Sequence, residues 1–240
     1  MRCLSTFFIV VFLTLCPSFC FREHPRYFVP AFFEPVTGAN GSTWSTELHL
    51  QNTGNVEQTI RFRLFPHSGV RCSVDSVLMR TGEEKILTSL GCHSIDGKSE
   101  QLLAAIEILS GADVQVSARI LQTVGGVTRL MATEDVLART NLYAHRRRIR
   151  LATVERRHSI GLVNPSSVAI AIRLQRSDKL EAQQVILAPG SSAQLFNFLA
   201  GAAAKDVTLT ATSEGAFYLY DSAIEVQTGR LTLTPGDTPD

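Results

Sequence analysis

The chain carries no surplus of charge of either sign, with 23 lysines and arginines against 22 aspartates and glutamates. Attraction of the whole molecule to nucleic acid or another charged partner is therefore not implied. Clustered metal ligands are also missing: His24, His49, His67, His93, His145 and His158 are scattered singly, and no His-Glu-x-x-His occurs. No serine lies in a Gly-x-Ser-x-Gly elbow, so the sequence offers no recognisable nucleophile. No glycine-rich loop joins a strand to a helix, which leaves nucleotide binding unsupported. These patterns predict no catalytic residue, no metal site, no cofactor and no specific nucleic acid as partner.

Long hydrophobic runs are scarce as well. The stretch Phe7-Phe8-Ile9-Val10-Val11-Phe12-Leu13 after Arg2 is too short for a spanning helix, which needs about 20 apolar residues. With Ser18 and Cys20 near a cleavage point, residues 1–20 read as a signal peptide and the mature chain as starting near Phe21. A retained membrane anchor is the alternative. Lipidation of Cys16 is a further one, poorly served by Leu15 before it and Pro17 after it. The expected setting is the periplasm, the cell surface or the extracellular space.

Cysteine is sparse, and export would remove Cys3, Cys16 and Cys20 with the signal. Cys72 and Cys92 remain, and an even number in an oxidising compartment predicts a disulfide. Closing a loop of about 20 residues restricts the unfolded chain by about 3 kcal/mol in the entropy model. Two separate buried thiols are the alternative.

What the sequence has in quantity is alternation. Trp44, Thr46, Leu48 and Leu50 interleave with Ser45, Glu47, His49 and Gln51, the period of a strand with one face on a core. After the turn Asn52-Thr53-Gly54-Asn55, Ile60, Phe62 and Leu64 repeat the rhythm and read as the second arm of a hairpin. Val114, Val116, Ala118 and Ile120 form a later strand, reversed at Gly125-Gly126. Two stretches break the pattern and suggest short connecting helices: Thr133-Glu134-Asp135 leading into Val136-Leu137-Ala138, and the alanine-rich segment 195–205.

The second half repeats the first. Moved along by 112 residues, Leu48, Leu50, Asn52, Val56, Ile60 and Phe62 fall on Ile160, Leu162, Asn164, Val168, Ile172 and Leu174. The stretch from Val77 to Gly82 resembles that from Val185 to Gly190, Ser110-Gly111 resembles Ser213-Glu214-Gly215, and Gly229 answers Gly125 and Gly126. The fold class expected is all-β: two tandem sandwiches of about seven short strands each, over residues 21–138 and 139–240.

Asn52-Thr53-Gly54-Asn55 after an alternating strand, with Leu187-Ala188-Pro189-Gly190-Ser191 opening a later turn, resembles the immunoglobulin-like modules of bacterial surface and secreted proteins, the adhesion-related type among them. The layout of Tyr27-Phe28-Val29-Pro30, then Gly38-Ala39-Asn40-Gly41-Ser42, then Trp44, is similar to exported bacterial proteins built from two such sandwiches. The resemblance implies an immunoglobulin-like fold and a cell-envelope setting. It carries over no catalytic residue.

One local concentration of charge stands out. Arg139, His145, Arg146, Arg147, Arg148, Arg150, Arg156, Arg157 and His158 are opposed only by Glu155. In an extended segment, Arg146, Arg148 and Arg150 share one face while Ile149 and Leu151 take the other. With Arg156 and Arg157 they form a candidate patch for an anionic polymer, lipid head group or acidic protein. The competing reading is an edge strand guarded by charge against sheet-to-sheet aggregation. The loop holding Asn40 and Ser42 is a second candidate, as a recognition loop or glycosylation acceptor. Trp44, Phe32-Phe33 and Phe217-Tyr218-Leu219-Tyr220 suit either a carbohydrate platform or a core, and alternation favours the core.

Taken together, these features predict a non-enzymatic exported module, structural or adhesive, whose partner is a protein or glycan at the cell surface. A hydrolase or carbohydrate-binding accessory with a loop-built site is one alternative. A periplasmic chaperone-like factor offering a strand edge is another.

Overall fold

The computed structural model describes residues 26–37, 41–67, 70–95, 103–110, 113–134, 137–138, 143–152, 155–200, 202 and 205–237; the predicted signal segment and Asn40 lie outside them. The fold is almost wholly β. The first half supplies β1 (Arg26–Phe33), β2 (Val36–Thr37), β3 (Thr43–Asn52), β4 (Gln58–Pro66), β5 (Val70–Arg71), β6 (Ser76–Met79), β7 (Glu84–Leu87), β8 (His93–Ser94), β9 (Leu103–Leu109), β10 (Val114–Val124), β11 (Val127–Glu134) and β12 (Leu137–Ala138). The second supplies β13 (Ala144–Ala152), β14 (Arg156–Val163), β15 (Ile170–Arg176), β16 (Gln183–Leu187), β17 (Ser192–Leu195), β18 (Asp206–Glu225) and β19 (Leu231–Pro235).

All pairings between these strands are antiparallel, and each sheet stays within one half. In the first half one sheet runs β12-β1-β9-β4-β6, and the other runs β11-β10-β3 with β2 and β7 both on the far side of β3. The second half repeats both orders. β13-β18-β15-β16 matches β1-β9-β4-β6, and β19-β18-β14-β17 matches β11-β10-β3-β7.

The difference is that β18 does the work of two strands. Its first part pairs β13 and β15, and its second part pairs β14 and β19, so one 20-residue strand crosses from sheet to sheet. Ser110 separates β9 from β10, whereas Ser213-Glu214-Gly215 lies inside β18 without a break. The anticipated correspondence of these two segments therefore holds in position but not in form.

Alternation decides which residues face inward. Leu48, Leu50, Ile60, Phe62, Ile106 and Ile108 meet between the two sheets of the first half. Ile149, Leu151, Ile160, Leu162, Leu209 and Leu219 do so in the second. Each such side chain contributes about 1.5–3 kcal/mol by leaving water.

β3 and β4 do not form the expected hairpin. They lie in different sheets, and residues 53–57 arch from one to the other. The cause is the buried side chain of Asn52: its amide donates to the carbonyls of Val56 (2.8 Å), Arg80 (3.0 Å) and Met79 (3.3 Å), while Oδ1 accepts from the Gly54 N–H at 3.1 Å. Asn164 repeats the set with Val168 (2.8 Å), Ala188 (2.9 Å), Leu187 (3.3 Å) and the Ser166 N–H (2.9 Å).

Neither predicted helix is present among the described residues. Thr133 and Glu134 end β11, and Leu137–Ala138 pair with Phe28 and Tyr27, because closing the edge of β1 provides backbone partners that a single helical turn would not. Residues 196–200 form turns, with Asn197 at a φ of 50°. Cys72 and Cys92 are joined as a disulfide beside the small β5-β8 sheet. The buried carboxylate of Glu34 steadies this corner by accepting the Leu90 and Cys92 N–H groups at 2.6 and 3.1 Å.

The halves meet through a third apolar cluster. Phe28, Ala31, Phe65 and Ala105 come from the outer face of the first half's β1-β9-β4 sheet, and Val163, Tyr218 and Tyr220 from the outer face of β14-β18. Phe28 lies edge-on to Tyr218 at 4.6 Å between centroids. Ser192 donates its hydroxyl to the Phe65 carbonyl at 2.8 Å across the same junction. Gly161 is required here, since a Cβ on it would lie 1.9 Å from the ring of Tyr220, which crosses the sheet at that point.

Candidate functional site

β13 alternates as the sequence predicts. Ile149 and Leu151 are buried, while Arg146, Arg148 and Arg150 are exposed on the outer face. Register then brings in residues that no local pattern shows. Arg146, Arg148 and Arg150 pair across β18 with Thr212, Thr210 and Thr208. On the far side of β18, Thr212 pairs with Arg173 of β15 and Thr210 with Gln175. The outcome is a face in which half-buried threonines form the floor between three arginines on one flank and Arg173 on the other, with the exposed Asp237 bridged through its backbone to Arg148 at the outer edge of β13.

Arg150 and Asp206 approach to 3.1 Å, but their side chains are 77% and 49% exposed. A pair in that much water contributes about 0–1 kcal/mol, so the guanidinium exchanges partners at little cost.

Other basic residues do not join this face. Arg147 points the opposite way, is buried and donates to the Gly236 carbonyl at 2.9 Å. Burial lowers its pKa, against the raising influence of Tyr218 and Asp237. Arg156 and Arg157 are exposed but belong to β14, in the other sheet, so the five arginines anticipated as one patch divide three and two. Arg139 lies outside the described residues.

His158 is not a surface cation either. It is buried, with Nδ1 2.8 Å from Asp221 Oδ2 and Nε2 2.6 Å from the Ala152 carbonyl. Sequence position alone grouped it with the arginines; its inward register on β14 separates it from them. Arg173 and Asp221 were not singled out, because alternation marks a residue as outward or inward without saying which strand will lie next to it.

Ser42 is buried, and Asn40 is outside the described residues. Phe32 and Phe217 lie in the cores, and Tyr218 and Tyr220 in the junction, so these rings have no exposed face for a sugar. The edge of β13 is occupied at its middle: Arg148 and Asp237 exchange backbone hydrogen bonds of 2.8 Å in each direction. A strand offered whole to a client from Arg146 to Leu151 is therefore interrupted there. Among the described residues no group of three or more His, Cys, Asp or Glu side chains is placed to hold a metal ion.

No protein-family model and no curated protein matches the chain. Among solved structures it is similar to an anti-sigma factor domain-containing protein at 8% identity, over 89% of this chain and 97% of that one, with a TM-score of 0.18. A likeness at that score carries no argument.

Proposed function

We propose that the protein is an exported, non-enzymatic interaction module that holds an anionic partner of the cell envelope against the outer face of β13, β18 and β15. The observation behind this reading is the register that lines Arg146, Arg148 and Arg150 along a row of threonines, with Arg173 opposite Arg146 on the far side of that row. Guanidinium groups form planar, two-pronged hydrogen bonds with carboxylate, sulfate or phosphate. Export rests on the N-terminal apolar segment and is supported by the Cys72–Cys92 bond, which suits an oxidising compartment.

An immunoglobulin-like kinship is part of the proposal at the level of sandwich architecture and turn chemistry. An immunoglobulin constant-type domain keeps its first strand beside its second and its last beside the one before it. Here β11 likewise lies beside β10, but β1 lies beside β9 instead of its successor in the chain.

The test is retention of the mature protein on a sulfated cation-exchange matrix along a salt gradient. Replacing Arg146, Arg148 and Arg150 together by alanine should move elution to clearly lower salt. The Arg156→Ala, Arg157→Ala pair should move it less. Equal elution of the triple variant and the parent would remove the reading.

A further inference from the structure

Internal duplication shows what the arginine face has become. By register, Arg148 occupies the place of Phe28, Thr208 that of Ala105 and Ser177 that of Phe65. Phe28, Ala105 and Phe65 are the residues by which the first half seats itself on the second. The same sheet surface thus appears twice, once covered by a folded neighbour through aromatic anchors and once exposed with those anchors exchanged for arginine, threonine and serine.

Resting on the reading above, we infer that the partner is a linear anionic polysaccharide that lies lengthwise along β13. A folded domain seated as the first half is seated would need apolar anchors at these positions, and they are absent. A second copy of the chain is disfavoured by charge. The equivalent outer face at the far end, on β10, β3 and β7, holds Glu47 opposite Arg119 and close to His49, and Glu84 opposite Gln51, so two acids, one of them already beside an arginine, would meet a ladder of three arginines with Arg173 beside it.

Spacing supplies the positive argument. Side chains on one face of a strand recur about every 6.6–6.8 Å, so the three arginines reach along about 13–14 Å. Arg173, two strands away, lies about 9.5 Å to the side. A single small anion can meet one such group, whereas an extended chain of charged sugars meets them in succession. The threonine hydroxyls between them serve as donors or acceptors for sugar hydroxyls.

Fluorescence anisotropy with end-labelled oligosaccharides tests this, using heparin-derived (sulfated) and oligogalacturonate (carboxylated) series from disaccharide to decasaccharide at one fixed salt. In at least one series, affinity should climb with length and level off once the chain spans the ladder. Arg148→Glu should weaken binding of the long chains by about tenfold or more, the loss of one charge-assisted contact. The Arg156→Ala, Arg157→Ala protein should bind as the parent does. Arg148→Gln, with an unchanged melting temperature, guards against misfolding of the reversed-charge variant and should weaken binding in the same direction.

Equal affinity for disaccharide and decasaccharide would overturn the inference. So would binding to vesicles of acidic phospholipid without binding to either soluble series. If the triple-alanine protein elutes early from the matrix but length has no effect, only the linear-chain inference fails. If its elution is unchanged, the proposed function fails with it.

Discussion

His158 places both ring nitrogens against acceptors, and that arrangement fixes its proton count. The Ala152 carbonyl accepts only, so Nε2 carries a hydrogen; Nδ1 then faces the Asp221 carboxylate at 2.8 Å and is satisfied as a donor when it is protonated too. Burial pushes the imidazole's pKa down. The hydrogen bond and charge of Asp221, with the Ala152 carbonyl, outweigh burial and the repulsion of Arg156, and the net direction is upward. A raised folded pKa means that the pair's stabilisation is fully present below the ordinary histidine value of about 6.5 and is lost as pH rises through the folded value. The melting temperature of the parent should accordingly fall from mildly acidic to mildly alkaline pH. Asp221→Asn, which lets a neutral ring accept from the amide, should flatten that slope; Asp221→Ala should cost about 3–5 kcal/mol at mildly acidic pH by stranding a buried cation. Thermal melts across the pH range check both, and a parent protein with a flat profile would contradict the assignment.

At the scale of elements, the two arches depend on two asparagines. Asn164, itself fully buried, donates to three carbonyls and accepts from one backbone N–H, as Asn52 does in the other half. Asn164→Ala should lower stability by about 2–3 kcal/mol because several backbone groups at the arch, the buried Leu187 carbonyl among them, lose their partner at once. Asn164→Asp should cost at least as much at neutral pH, since a carboxylate cannot donate to the carbonyls of Val168, Leu187 and Ala188. Urea unfolding with an unchanged slope would register both losses. The same asparagines show how far the sequence could be read. Their recurrence, and the alternation around them, revealed the duplicated strands and the inward residues from Leu48 to Leu174. Whether Asn52 began a hairpin or an arch was not legible, because a strand alternates identically with its successor beside it or across the core. The arginine ladder on β13 was legible for the same reason that Ile149 and Leu151 were. Arg173 was not, since its place opposite Arg146 is set by the pairing of both strands with β18, more than 30 residues along the chain from either.

Across the whole molecule, the junction determines whether the halves behave as one body. Phe28 sits among Phe65, Tyr143 and Tyr218, at centroid distances of 6.5, 6.1 and 4.6 Å, and Tyr220 packs beside Tyr218 by lying over Gly161. Buried aromatic surface of this kind couples its two sides in unfolding, because opening one exposes part of the other. The parent should therefore melt in a single cooperative transition. Phe28→Ser removes the central ring, a loss of about 3–5 kcal/mol by analogy with phenylalanine truncation, yet the inter-sheet cores of both halves are untouched by it. Calorimetry of this variant should resolve two transitions in place of one. Gly161→Val approaches the junction from the opposite side by driving Tyr220 off the sheet, and should separate the transitions in the same way. If the parent already shows two transitions, or if both variants keep one, the coupling does not run through this cluster. The outcome also bears on the arginine face. A second half that melts independently would carry Arg146, Arg148, Arg150 and Arg173 intact, so Phe28→Ser should retain anion binding while it loses cooperativity, separating the surface that holds the molecule together from the one proposed to hold its partner.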